Sequence, residues 1–375
     1  MVIKTFSTRE ITSIIKALKT KNVHAFDEIS IKLLKISATY IHSTLTYICN
    51  KTILSGIFPD RIKFSIIKSM YKKGNKMNPT NYRPISLLTS FLKVFEKALY
   101  IRLTEHFNIH KLLVGNKFGF RKGIATEDAI FKLTNEILNA LNNKIVASNM
   151  FCDLEKAFNS VNHDILLSKL LYYGISGKAK LLLESYLQNR YQRVHITNPY
   201  FNSNTVSKWT KIKYGVPQVS ILGPLFLVYI NYLPKAIEHK ALPILFADDT
   251  SILLTSPNNI QMQSDLNLVF EQRNKWFKSN QLSLNFNETY FTQFTHKSKC
   301  TSDIQIKYED KQLSLANETK FLGLFITNNL SWKTHIECIK SKLSLACYAM
   351  RLVKPFVPIN TVRMIYYSYF HSNDL

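Results

Sequence analysis

The stretch Leu245-Phe246-Ala247-Asp248-Asp249-Thr250-Ser251-Ile252-Leu253-Leu254 sets two adjacent carboxylates between two apolar runs. Short apolar runs flanking a polar turn predict a β-hairpin with the aspartates at its tip. Neighbouring carboxylates repel one another there, and a divalent cation is the common remedy. A solvated turn is the plain alternative, since aspartate is a favoured turn residue. A second run bears on the choice. Ile145-Val146-Ala147-Ser148-Asn149-Met150-Phe151-Cys152 reads as a mostly buried strand and leads straight into Asp153, 95 residues before Asp248. Two strand-end carboxylates from separate elements of one sheet are what a two-metal phosphoryl-transfer site needs, with ions about 3.5–4 Å apart. Mg²⁺ suits such oxygen-only donors. Taken alone, Asp153 is as readily a structural strand-end carboxylate.

The whole chain fits a polyanionic partner. Its 375 residues carry 49 Lys and Arg against 25 Asp and Glu, a formal charge of +24, with 46% hydrophobic and 12% aromatic residues. Such a composition gives a folded, strongly basic protein of two to three domains and excludes both disorder and a small stapled scaffold. Nucleic acid is the first expected partner and an anionic membrane surface the second. Cys49, Cys152, Cys300, Cys338 and Cys347 are scattered, with no CxxC pair, so neither a disulfide framework nor a zinc knuckle is legible. The chain reads as reduced and intracellular, and the N-x-T triplets at Asn287 and Asn317 as chance matches. The most apolar window, Val216 to Pro234, is interrupted by Gln218, Ser220, Pro224 and Asn231, so no membrane segment is expected.

Ser7-Thr8-Arg9-Glu10 is a capping box, and Ile11, Ile14, Ile15 and Leu18 follow at helical spacing, predicting a helix over 8–19. Helix continues over 28–54, Asn78 to Pro84 breaks the pattern, and another helix runs over 91–108. Residues 1–145 thus form a helix-rich basic module. Helices over 162–173, with Gly174 at its C-cap, and over 178–189 are followed by a hairpin over 190–214. After about residue 310 a basic helical tail begins, with Ile336, Ile339, Leu343 and Met350 on one face. His335, Cys338 and Cys347 make a poor zinc set, and the Tyr366 to Phe370 aromatic cluster reads as packing.

In order and spacing, Asp153-Leu-Glu-Lys-Ala-Phe158, Gly215-Val-Pro-Gln218 and Phe246-Ala-Asp-Asp249 resemble the palm motifs of reverse transcriptases. Asn81-Tyr-Arg-Pro-Ile-Ser-Leu-Leu88 and Phe118-Gly-Phe-Arg121 resemble the fingers motifs of LINE-type, non-long-terminal-repeat retrotransposon enzymes of the jockey-like insect group. Phe321-Leu-Gly323, with Leu330-Ser-Trp332 and His335-Ile336 after it, is similar to the primer grip and thumb entry. The resemblance implies an α+β right-hand polymerase: fingers over 1–145, palm over 146–310, and primer grip with the start of a thumb over 311–375. It implies an RNA-directed DNA polymerase using an RNA template, a DNA primer, dNTPs and two Mg²⁺ ions. Asp153, Asp248 and Asp249 would hold the metals. Phe158 would be the steric gate against a 2′-hydroxyl, and Gln218, Arg121, Lys72 and Arg83 would meet nucleotide or template, Lys73 beside them. Phe321, Leu322 and Gly323 would hold the primer end. A cytoplasmic ribonucleoprotein and the nucleus are its implied locations.

Asn159, Val219, Tyr232 and Glu288 depart from the family's pattern, which has Asp, Gly, Asp and Lys there. The Lys is expected to protonate the leaving pyrophosphate, so weak or absent activity is expected of this copy. The chain would also begin beyond an endonuclease domain and stop partway through the thumb, as a genomic fragment does. Two alternatives stand beside the polymerase: a decayed remnant that binds RNA without polymerising, and an RNA-dependent RNA polymerase, against which Phe158 argues.

Overall fold

A computed structural model of the chain describes residues 1–20, 25–115, 117–119, 123–198, 203–218, 220–237, 241–295, 304–308 and 311–371. The chain divides into two compact units built from interleaved segments. One comprises Met1–Lys122, Leu154–Ile237 and Gln272–Asn285, the other Gly123–Asp153, Glu238–Glu271 and Phe286–Leu375.

The first unit is mostly helical. Its opening helix, Thr8–Ala17, starts where sequence places it, with Ser7 and Glu10 completing the capping box. Ile11, Ile14 and Ile15 are buried, and the helix packs on Ala38–Ser55 and Ser90–Ile109. Arg102 of the latter ties the N-terminal segment down by donating to the Lys4 and Thr5 carbonyls and to Glu10 Oε1. Helices His163–Tyr172 and Gly177–Leu187 also match expectation, and Gly174 takes the left-handed conformation (φ +82°) just past the first.

Two strands interrupt the segment read as helix-rich. Phe64–Tyr71 pairs antiparallel with Tyr82–Leu88 and parallel with Tyr191–Asn198, which carries Ser203–Val206 and Thr210–Lys211. Pro84 looks like a breaker, but Tyr82–Leu88 is an edge strand, where a residue without an N–H is tolerated. Residues 311–327 likewise depart from the expected helical tail. They form short strands, including the hairpin Glu318–Phe321 and Leu324–Thr327, and the long helix begins only at Lys333.

The second unit is organised on a five-stranded, almost wholly antiparallel sheet, in the order Ser314–Leu315, Tyr290–Phe294, Val146–Cys152, Asp249–Ser256, Leu242–Phe246. Val146–Cys152 is central and is buried along nearly its whole length, which is why its apolar residues show no alternation, with Ser148 and Asn149 the polar exceptions. Helix Thr126–Asn142 covers one face through Ala129, Leu133, Ile137 and Ala140. Two of the polar groups in the sheet pair within it: Ser251 Oγ donates to Asn149 Oδ1 at 2.9 Å and Ser148 Oγ to the Thr292 carbonyl at 3.1 Å. Among the described residues, no helix is long and apolar enough to cross a membrane.

Candidate active site

The three aspartates belong to the second unit, at one end of its sheet. Phe246 pairs with Asp249, so the hairpin turns on Ala247 and Asp248 alone. Ala247 is held at φ +57°, a region that costs an L residue about 1–2 kcal/mol, so the two buried strands impose this turn on a sequence that does not favour it. The last register pair of the central strand is Cys152 with Thr250. One step further along that register sets Asp153 against Asp249, on strands whose opposed Cα atoms lie about 4.5–5.5 Å apart. Asp153 and Asp248 are half-buried and Asp249 is exposed. The Asp153 amide donates to Thr289 Oγ1 at 3.4 Å.

Tyr290, paired with Phe151 on the other side of the central strand, completes the surroundings. Burial pushes its phenol up, and the nearby negative charges of Asp249 and Glu288 push the same way, while its hydroxyl pairs with Thr319 Oγ1. Asp249 and Glu288 thus both put negative charge near the Tyr290 ring. Among the described residues no three His, Cys, Asp or Glu side chains converge tightly enough to hold a metal ion unaided. The site offers facing carboxylates on strand ends and not a closed cage. Phe321 packs on Phe151 with ring centroids 5.6 Å apart, and Leu322 and Gly323 form the two-residue turn that follows it. Both have positive φ (+48° and +100°), as a hairpin turn matching strand twist requires.

The remaining sequence-derived residues belong to the first unit. Phe158 is half-buried with its ring 4.8 Å from that of Phe226. Its carbonyl accepts from the Val216 amide at 2.8 Å, and the Val161 carbonyl accepts from the Gly215 amide at 2.7 Å. Gly215 (φ +88°) lies so close to Asn159 that a Cβ would come within 2.8 Å of that residue's Cα and carbonyl oxygen, so only glycine fits. The Phe158 motif and the Gln218 motif are thus joined backbone to backbone. Lys72, Lys73 and Arg83 are exposed on the Phe64–Leu88 hairpin. Arg121 and Val219 lie outside the described residues. Sequence reasoning missed Glu96, Tyr186, Thr289 and Tyr290. Glu96 alone left a signal, a carboxylate within the apolar stripe Leu92, Phe95, Leu99, Leu103.

Residues 71–326 match the family described as reverse transcriptase (RNA-dependent DNA polymerase). The chain is 30% identical over 349 residues to the probable RNA-directed DNA polymerase from transposon BS of Drosophila melanogaster, covering 89% of this chain and 37% of that protein. It is 27% identical to the probable RNA-directed DNA polymerase from transposon X-element of the same fly, over 92% of this chain and 37% of the relative. To the RNA-directed DNA polymerase from mobile element jockey, also of D. melanogaster, it is 26% identical over 88% of this chain and 36% of the relative. The chain spans little more than a third of the length of these relatives.

Proposed function

This chain belongs to the reverse transcriptase family, in the jockey-like type of non-long-terminal-repeat retrotransposons, and we propose that it is an RNA-directed DNA polymerase of right-hand architecture. The observation that carries this is the register that sets Asp153 against Asp249 at neighbouring strand ends, with Asp248 in the adjoining turn. The donor set fits Mg²⁺, which takes oxygen ligands and is usually bound by one or two carboxylates together with substrate phosphates. When bound, two such ions lower the barrier to attack of the primer 3′-hydroxyl on the α-phosphate and neutralise charge on the departing pyrophosphate.

The protein's own part is positioning. Asp153, Asp248 and Asp249 would hold the cations. Phe158, backed by Phe226, fills the space that a ribose 2′-hydroxyl would need, and Gln218 follows two residues after the Val216 amide that bonds to the Phe158 carbonyl. Lys72, Lys73, Arg83 and Arg121 neutralise template or triphosphate charge, and Phe321 to Gly323 support the primer end. Binding to template-primer is then chiefly to phosphates, weakening with salt and largely independent of sequence. Glu288, a carboxylate where the family has Lys, favours a second reading, a remnant that binds RNA and polymerises nothing.

Homopolymer-templated incorporation with Mg²⁺, run with dNTPs and with NTPs beside Asp248→Asn, tests both. Incorporation of dNTPs that Asp248→Asn abolishes supports the polymerase. Template binding without incorporation supports the remnant, and equal use of NTPs points to an RNA polymerase.

A further inference from the structure

Helix Ser90–Ile109 buries Leu92, Phe95, Leu99 and Leu103, and with them Glu96, at 0% exposure. A carboxyl there is costly unless both oxygens find donors. They do: Oε1 accepts from the Tyr186 hydroxyl at 2.7 Å and Oε2 from the Ile221 amide at 3.0 Å. Tyr186 is itself 0% exposed, and its hydroxyl lies 3.4 Å from Ser220 Oγ. The Arg190 guanidinium stacks 4.8 Å over the Tyr186 ring and donates to its carbonyl. Burial pushes the Glu96 carboxyl up, against the Tyr186 hydroxyl, the Arg190 charge and the Ile221 amide. A leucine would pack this helix as well, and both acceptors are spent on groups 90 and 125 residues away.

What the cluster grips is one end of the segment carrying Gln218. The other end is fastened by the Gly215 and Val216 amides on the Val161 and Phe158 carbonyls, and by His163 Nε2 on the Gly215 carbonyl at 2.8 Å. Gln218 lies between the two anchors. We propose that Glu96 and Tyr186 are positioning residues that hold the Ser220–Ile221 end of this segment and so set Gln218 for the incoming dNTP. This rests on the nucleotide role proposed above for Gln218.

The test uses the full chain on a template-primer ended with a dideoxynucleotide, so that dNTP affinity is read without chemistry. Glu96→Ala is expected to raise the dNTP Kd by about ten- to a hundredfold, leave template-primer Kd unchanged, and speed hydrogen exchange over 215–223. Glu96→Gln keeps an acceptor for the Ile221 amide and is expected to restore most of both. Tyr186→Phe, lacking only the hydroxyl, should fall between. If Glu96→Ala fails to fold, the Gln and Phe variants decide. Unaltered dNTP Kd and exchange in folded variants would overturn the positioning role alone. A folded, template-bound parent chain that dNTPs never tighten overturns the nucleotide reading, and the positioning role with it.

Discussion

The Leu242–Ser256 hairpin turns in two residues and buries most of both strands, whereas the Phe64–Leu88 hairpin turns through Lys72–Asn81 and leaves its tip exposed. The first carries the aspartates in a protein of net charge +24. The second lies in a stretch, Arg61 to Phe95, that contains no acidic residue. They are also held differently. The acidic turn has Ala247 at positive φ because the strands behind it leave no choice. The basic tip is organised from within: Tyr71 and Tyr82 stack edge to face and donate to the Gly74 and Lys76 carbonyls, Asn81 Nδ2 donates to the Asn75 carbonyl, and Gly74 supplies the positive φ. Like charges can be crowded where a core fixes them. Phosphate-binding cations need only a locally shaped arm.

The largest effects that would break this contrast concern the acidic turn. Asp153→Asn and Asp249→Asn should each cut incorporation by about 10³-fold, the kinetic equivalent of several kcal/mol of lost charge stabilisation. Thermal midpoints should hold or rise without metal, because like charges are removed. Loss of folding would show that the carboxylates are structural instead. Next is Glu288→Lys, which should raise incorporation by about 10²-fold or more by restoring a general acid. No gain in the steady-state rate would mean that the reversed charge is harmless.

Smaller changes are expected at the basic arm. Lys72→Ala, Lys73→Ala and Lys76→Ala together should make the plot of log affinity against log salt shallower, by about 0.9 for each phosphate no longer neutralised, with the maximal rate unchanged. A fluorescence titration at several salt concentrations checks this, and an unchanged slope would remove the arm from the binding surface. The smallest effects are conformational. Ala247→Gly should stabilise by up to about 1 kcal/mol and Gly74→Ala destabilise by about as much, since a Cβ at Gly74 would meet Asn81 Nδ2 at 2.7 Å. Denaturant midpoints of the pair measure both.

Legibility in the sequence followed the range of the forces involved. The Ser7–Glu10 cap and the strand leading into Asp153 are local patterns, and both stand where residue order places them. The strand Tyr82–Leu88 was hidden because Pro84 signals a break unless one knows that the strand is an edge. The grip of Glu96 on Ile221 spans 125 residues, and no local pattern announces it. The interleaving of the two units was hidden for the same reason: residue order shows runs, and the units are assembled from runs that are not consecutive.

The central strand has a consequence for synthesis. Val146–Cys152 pairs with Asp249–Ser256 and Tyr290–Phe294, so 96 residues lie between Cys152 and the start of its first partner. At about 5–20 residues per second a ribosome takes roughly 5–20 s to cover that distance. For that interval the nascent chain carries a sticky, unmatched apolar strand, the segment most exposed to misassociation before the polypeptide is long enough to shelter it. Slowed elongation downstream of Asp153 would lengthen that exposure, and a lower growth temperature would be expected to improve soluble yield by weakening apolar association during it.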